Sequence, residues 1–430
     1  MIDVLDYSVK IIEVIRNYFL SKNIACNITP NLPAESCRDA AQKRSRLGNI
    51  GIPLCDELKS NFGYFTDTEG KKQYVLLHCR GNQLLDEAKV NELLGHPFCR
   101  LPEGELQEVF GLQYGIVNPL ISIQHEDILQ VFDEATQQDL LPPYTMMTNA
   151  GHFEWGMEFR PKELLNALPN TQVADITSDA AYIHFQAPKI GILTGNSPES
   201  GIMLWQTINQ AIREKLGEHF LGDISFPPVF IESLPEMGLS MELDQRNTAT
   251  WQTVEAGVKS LLNRGANLIA IACNTTQYFS PQLEQLCAQH GAQYVSMSQA
   301  IHQRLSAQQV KEFDFIGISY VTDFGNWSGF DQLAQQFDIK VPDPADLQAI
   351  HELAFEVKKK AVSGKGINKL RDLINEATNT NTIVIALTEI SFLLASQKKK
   401  KSEKTYFDTL TILGEELAKR HWQRVKNLLA

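Results

Sequence analysis

Apolar segments that run into polar turns, with helix-patterned stretches between them, constrain the second half of this chain most. Lys189 to Gly195 is a short apolar strand entering a glycine turn, and Pro198 to Leu216 follows with helical spacing. Val229 to Leu234 reads as a strand, Thr250 to Arg264 as a helix, Asn267 to Ala272 as a strand and Pro281 to His290 as a helix. Phe313 to Tyr320 restarts the theme and runs into Thr322-Asp323-Phe324-Gly325-Asn326. A helix over Ile367 to Ala377 and a strand over Thr382 to Leu387 follow. Strands alternating with helices at this spacing form parallel sheets covered on both faces. The theme occurs twice, so the expectation is two similar α/β lobes with a cleft between them. Ligands of such folds bind at the carboxyl ends of the strands. Cys273 falls there.

The first half has a different grammar. Apolar residues at Ile11, Ile12, Val14, Ile15 and Phe19 predict a helix. Ser36 with Asp39 reads as the N-cap of a second helix, Cys37 to Arg46. Asn61 to Asp67 and Gln73 to His78 flank Thr68-Glu69-Gly70-Lys71, which predicts a β-hairpin. Helices are expected over Leu84 to Leu94 and Gly104 to Phe110, with a loop from Gly111 to Pro119. Strands over Thr145 to Asn149 and Trp155 to Phe159 surround Ala150-Gly151-His152, and Pro161 opens a further helix. This half reads as mixed α+β.

Bulk properties exclude several classes. The 430 residues are enough for two or three domains, and 43% hydrophobic with 21% charged residues is ordinary for a globular chain. A net charge of −12 argues against strong non-specific binding of nucleic acid, which needs Lys and Arg on phosphates. Seven scattered cysteines show no zinc spacing, so neither metal nor cofactor is expected, and an odd thiol count fits a reducing cytoplasm. Acids occupy the N-terminus where a signal peptide would carry bases, and the apolar stretch Ile383 to Ala395 is too short to span a bilayer. Lys398 to Lys401, continuing to Lys404, reads as a solvated charge run before a last helix, Tyr406 to Leu429.

Racemising an amino acid without a cofactor requires a proton to leave one face of the α-carbon and return on the other. Cysteine can do this if its pKa falls below the free value of about 8.5, which a strand-to-helix turn favours. Exposed N–H groups at such turns also bind carboxylates. Gly195-Asn196-Ser197 is one such cradle and Asn274-Thr275-Thr276 a second. On the segments Gly191-Ile192-Leu193-Thr194-Gly195-Asn196-Ser197-Pro198, Ala272-Cys273-Asn274-Thr275 and Ala386-Leu387-Thr388-Glu389, residues 188 to 428 resemble the aspartate/glutamate racemase superfamily. The resemblance implies that Cys273 is a catalytic thiol. It implies that Asn196, Ser197, Asn274, Thr275 and Thr388 hold substrate carboxylate and amine, with Thr322 near a third polar turn. The family's second thiol is replaced by Leu387, which cannot exchange a proton.

The first half carries its own constellation: Lys59, the loop Gly115-Ile116-Val117-Asn118-Pro119, and Asn149-Ala150-Gly151-His152 at a strand end. Backbone N–H groups of a loop can take a carbonyl oxygen, a lysine can neutralise an anion, and a histidine can orient a hydroxyl or water. On these pieces, together with Arg38-Asp39-Ala40-Ala41 and Phe132-Asp133-Glu134, residues 11 to 172 resemble the YbaK-type aminoacyl-tRNA deacylases. The resemblance implies hydrolysis of mischarged aminoacyl-tRNA without metal, using the terminal hydroxyl of the tRNA itself. Lys59 would engage the tRNA end or the carbonyl, Gly115 and Pro119 would shape the carbonyl-binding loop, and Gly151 and His152 would position the substrate.

The expected organisation is therefore a deacylase-like domain at 1–172 and a racemase-like domain at 188–430. The latter divides into lobes at 188–310 and 313–399, with a helical segment 404–428 returning. Expected partners are the 3′ end of an aminoacyl-tRNA, with a synthetase beside it, and a small acidic amino acid; no membrane partner is expected, and a homodimer is compatible. Two other readings stand beside this one. Only the C-terminal domain is active, as a cofactor-independent racemase or a one-thiol lyase or isomerase; or both folds bind ligands as a sensor without turnover.

Overall fold

The computed structural model describes residues 4–178, 186–359, 364–388, 390–391 and 404–429. The chain divides into two compact units, one of Met1–Ala187 with Val425–Ala430 and one of Pro188–Arg424. The lysine run at 398–401 and Glu389 lie outside the described residues.

Among the described residues of the first unit a helix, Val4–Ser21, precedes ten strands. These are β1 (Cys26–Pro30), β2 (Ser45–Arg46), β3 (Asn49–Ile50), β4 (Leu58–Thr66), β5 (Lys72–Arg80), β6 (Cys99–Arg100), β7 (Leu129–Asp133), β8 (Met146–His152), β9 (Trp155–Phe159) and β10 (Thr171–Ala174). They form a three-stranded sheet β1-β9-β8, a five-stranded sheet β10-β7-β5-β4-β6 and the small ribbon β2-β3. The hairpin β4–β5 is the backbone of the larger sheet, with Tyr64 opposite Tyr74 and Ser60 opposite His78. Its turn is locked by Asp67, whose Oδ1 accepts from the N–H groups of Glu69 (3.0 Å) and Lys71 (2.9 Å). Parallel pairs of β5 and β10 with β7 give the sheet its mixed character.

The second helix is shorter than its sequence predicts. Ser36 caps it as expected, accepting from Asp39 N at 3.1 Å, but it ends at Lys43. Arg44 is extended (φ −61°, ψ 150°), and Leu47-Gly48 turn with positive φ so that β2 pairs with β3. The tertiary demand on the Arg44 and Arg46 side chains, described below, outweighs a helical pattern over these few residues.

The second unit contains two sheets of one design. β11 (Ile190–Thr194), β12 (Val229–Ser233), β13 (Leu268–Ile271) and β14 (Gln293–Tyr294) lie in the order β12-β11-β13-β14. β15 (Glu312–Gly317), β16 (Asp338–Lys340), β17 (Thr382–Ala386) and β18 (Thr405–Asp408) lie in the order β16-β15-β17-β18. All pairs in both are parallel. β11 and β13 are buried along their whole length, as strands covered by helices on both faces must be. The helix Pro198–Leu216 starts with proline at its first turn and buries Met203, Leu204, Ile208, Ala211, Ile212 and Leu216. The fold class is thus α/β multi-domain: an α+β unit and a unit of two parallel-sheet lobes.

One boundary differs from the sequence reading. The segment read as helix from Tyr406 begins as strand β18 and turns helical only at Thr409–Leu429. Asp408 makes the switch: its Oδ2 accepts from Thr411 N (2.8 Å) and Thr411 Oγ1 (2.5 Å), the pattern of an N-cap. Helices at Met297–Ala307 and Pro344–Lys359 add to those read from the sequence. Among the described residues no helix is long and apolar enough to cross a membrane.

Candidate functional site

The first unit holds a cavity of about 320 Å3 along β4. Its lining includes Ser36, Cys37 and Arg44 from the second helix and its caps, Glu57 just before β4 and Leu58 to Phe62 within it, Tyr114, Gly115 and Val117 from the loop, and Thr148 and Asn149 from β8. The strand explains the location: β6 pairs with β4 only at Gly63 and Tyr64, so the stretch before it has an open edge. Lys59 and Gly115, far apart along the chain, meet at this cavity. His152, Pro119 and Gly151 are not in its lining.

Each of these residues has a local reason for its place. Lys59 lies inside β4, not ahead of the hairpin, and its amine donates to the Gln83 carbonyl. Gln83 is itself pinned: its Nε2 donates to Asp133 Oδ1 (3.1 Å) and Thr177 Oγ1 (2.8 Å), and its Oε1 accepts from Arg80 N (3.0 Å). Gly115 has φ +94°, and a Cβ there would stand 3.1 Å from the Phe153 ring, so the loop backbone approaches that ring as only glycine permits. Asn118 caps the turn after the loop, its Oδ1 accepting from Leu120 N at 2.8 Å, and Pro119 is buried behind it. Asn149 ties loop to strand: its Nδ2 donates to Val117 O (3.0 Å), and its Oδ1 accepts from Gly151 N (2.9 Å). His152 Nδ1 accepts from Glu154 N at 3.1 Å, which turns this nitrogen to its own hairpin.

Sequence reading missed the charged wall of the cavity. Arg44 and Glu57 form a two-point ion pair (Nε–Oε2 3.1 Å, Nη2–Oε1 2.8 Å), and Arg44 Nη1 donates to Asn31 Oδ1 at 2.6 Å. Arg46 and Arg80 continue the network to Asp56. Burial raises the pKa of Glu57 and of Asp56 while their arginine partners pull it down. The Cys37 thiol in the wall is pushed up to about 11, first by burial and then by Glu57, so it stays a thiol near neutral pH and is a poor nucleophile.

In the second unit Cys273 lies two residues past the end of β13 and is 2% exposed. Asn196 Nδ2 donates to its Sγ at 2.7 Å, so the glycine turn after β11 reaches the thiol as the sequence order suggests. Gly195 makes that turn: a Cβ there would fall 1.9 Å from the Leu234 carbonyl oxygen. Ser197 is the N-cap residue of Pro198–Leu216, with its hydroxyl near Glu199 (3.4 Å) rather than on the helix N–H groups. Asn274 Oδ1 accepts from Thr409 Oγ1 at 2.9 Å, which brings the second lobe to the first. Two buried polar atoms beside the thiol, Asn196 Oδ1 and Asn274 Nδ2, have no hydrogen-bond partner among the described residues. Buried amide groups rarely stay so without a ligand or water. Thr275 opens a short 3-10 helix, Thr275–Phe279. Thr322 lies in a helical turn and its hydroxyl bonds back to Ile318 O at 3.2 Å. Leu387 and Thr388 follow β17, both buried.

The family model of the aminoacyl-tRNA editing domain matches residues 64–149. The matched segment contains the Gly115–Pro119 loop and Asn149, and Lys59 precedes it. No curated protein matches the chain. Among solved structures, an aspartate racemase homologue from Pyrococcus horikoshii OT3 is 19% identical, with 54% of this chain and 98% of that chain covered and a TM-score of 0.43. A glutamate racemase from Francisella tularensis, in complex with D-glutamate, is 14% identical over 57% of this chain and 84% of that one, with a TM-score of 0.38. A protein described as a candidate trans-editing enzyme for prolyl tRNA synthetase is 24% identical, covering 38% of this chain and 95% of that chain at a TM-score of 0.29. Residues 64–149, within the first unit, thus match the model of the aminoacyl-tRNA editing domain.

Proposed function

We propose that the chain is a two-domain protein, 1–172 and 188–430, whose first domain hydrolyses the ester of a mischarged aminoacyl-tRNA. The observation that carries this is the single cavity onto which both Lys59 and the glycine of the matched loop open. The ester carbonyl sits against the Gly115 backbone, where N–H groups stabilise the oxyanion as charge develops. A water, oriented by the free terminal ribose hydroxyl, attacks the carbonyl carbon, the C–O bond to the tRNA breaks, and the leaving ribose oxygen takes up the proton that the water gives up. Lys59, held by the Gln83 carbonyl, lies at the same cavity and meets the tRNA end. Pro119 and Gly151 stiffen the walls behind, and His152 orients the incoming strand end. Lys59→Ala is expected to lower deacylation about 100-fold, the scale of losing one electrostatic contact to a transition state. A wild-type chain that hydrolyses none of a full panel of mischarged tRNAs would sink the reading.

The second domain takes a small acidic amino acid beside Cys273. The unpartnered amide atoms of Asn196 and Asn274 favour this, since a ligand carboxylate and amine would satisfy them. Ser197, Thr275, Thr322 and Thr388 complete the set. Cys273 works one face of the α-carbon, and Leu387 leaves the other without a proton donor. The expected behaviour is exchange of the α-proton of aspartate or glutamate with solvent deuterium, lost in Cys273→Ala, with racemisation slow or absent. Leu387→Cys is expected to create racemisation; NMR of the α-position and chiral chromatography read the two. Exchange that persists in Cys273→Ala would remove the thiol from the mechanism.

A further inference from the structure

A chain of hydrogen bonds runs from the cavity into the sheet of the first unit. Ser60 Oγ is 2.9 Å from His78 Nδ1, and His78 Nε2 is 2.9 Å from Gln130 Oε1. Gln130 Nε2 is 2.7 Å from Ser122 Oγ, and Ser122 Oγ is 3.1 Å from the carbonyl oxygen of Pro119. Ser60 lines the cavity; His78, Gln130 and Ser122 are fully buried.

The far end fixes the direction of every bond. A carbonyl oxygen only accepts, so Ser122 donates to Pro119. Ser122 has one hydrogen, so it must accept from Gln130, which turns the amide NH2 to Ser122 and the amide oxygen to His78. An amide oxygen only accepts, so His78 carries its proton on Nε2. Burial lowers the His78 pKa to about 4, so near neutral pH the ring is neutral and Nδ1 is a bare acceptor. The hydrogen of Ser60 is therefore spent on Nδ1. Toward the cavity Ser60 shows lone pairs alone.

We infer that Ser60 is an acceptor-only serine that binds the free ribose hydroxyl next to the ester, with His78, Gln130 and Ser122 as positioning residues. The inference rests on the deacylase reading above and names a contact to its substrate. A neutral donor fits the wall better than a cation does. The charged side chains lining the cavity are Arg44, Lys59 and Arg100 against Glu35 and Glu57, and Glu57 is already paired with Arg44. This polar chain also ends on the carbonyl-binding loop, at Pro119, so it couples the hydroxyl contact to the loop that holds the ester.

Two measurements on the full chain test this. Imidazole 15N NMR of the wild-type protein is expected to show His78 protonated on Nε2 and bare on Nδ1 at neutral pH. A proton on Nδ1 would overturn the proposal without any variant. The second is a binding cycle with RNA hairpins that end in a non-hydrolysable aminoacyl-amide adenosine, carrying either 2′-OH or 2′-H. Ser60→Ala and removal of the 2′-OH are each expected to weaken binding about five- to tenfold, the worth of one neutral hydrogen bond, and the two losses should not add. A Ser60→Ala loss of equal size on both hairpins sinks the hydroxyl contact; if that loss vanishes on an N-acetylated hairpin, the α-amine is the donor instead. A wild-type chain that deacylates but shows additive losses removes this inference alone. A wild-type chain that neither deacylates nor binds removes the deacylase reading, and this one with it.

Discussion

Gly156 holds an ion pair in place by lacking a side chain. A Cβ at this position of β9 would stand 2.4 Å from Arg44 Nη1 and 2.8 Å from Asn31 Oδ1. Arg44 cannot step aside, because its other two nitrogens grip Glu57. Gly156→Ala is therefore expected to push Arg44 off and leave a buried carboxylate without its partner. Breaking a buried pair costs about 3 to 5 kcal/mol, and partial relaxation of the arginine brings the expected loss to roughly 2 to 3 kcal/mol. Denaturant unfolding measures it. The mechanism has its own control: replacing both charges, as Arg44→Met with Glu57→Gln, should make the added methyl nearly harmless, since no ion remains to be stranded. A loss that is unchanged in that background would mean that the strain lies in the strand and not in the pair.

Elements whose ends carry their own chemistry were legible in the sequence. Pro198 opens one helix, Ser36 and Asp39 open another, and Thr68-Glu69-Gly70-Lys71 closes the hairpin, and each appears where local rules place it. β18 was not legible. Its residues, Thr405 to Asp408, run without a break into the apolar pattern of the following helix, and only pairing with β17 makes them a strand. The same contrast holds for the candidate sites. Asn196, Cys273 and Asn274 stand at strand ends, where parallel sheets bind ligands, so topology alone pointed to them. The link from Ser60 through His78 and Gln130 to Ser122 uses two adjacent strands, a third in parallel register, and a 3-10 turn. No spacing along the chain encodes it, because it exists only once β4, β5 and β7 are in register.

At the scale of the whole molecule, each unit buries one histidine among its described residues that must stay neutral. His78 lies in the first unit and His421 in the second, and burial lowers each pKa from 6.5 to about 4. Unfolding returns each ring to its ordinary value, so between these limits the unfolded chain binds more protons than the folded one. Stability from this source is fully present above about pH 6.5 and is lost as pH falls toward 4. From pH 7 to pH 5 the loss per histidine is roughly 2 kcal/mol. Asp56, Glu57 and Asp408 act the other way, because burial raises their pKa and the folded state then takes up protons sooner. A bare acid titration mixes the two signs. Comparing wild type with His78→Gln cancels the carboxyl contributions, which the two proteins share. The expected result is that His78→Gln costs stability at pH 7 and costs roughly 2 kcal/mol less at pH 5. Amide hydrogen exchange assigns the change to one unit: His78→Gln should flatten the pH dependence of protection within residues 1–187, and His421→Gln that within 188–424. If protection falls between pH 7 and pH 5 as steeply in the variants as in the wild type, the acid sensitivity belongs to other groups.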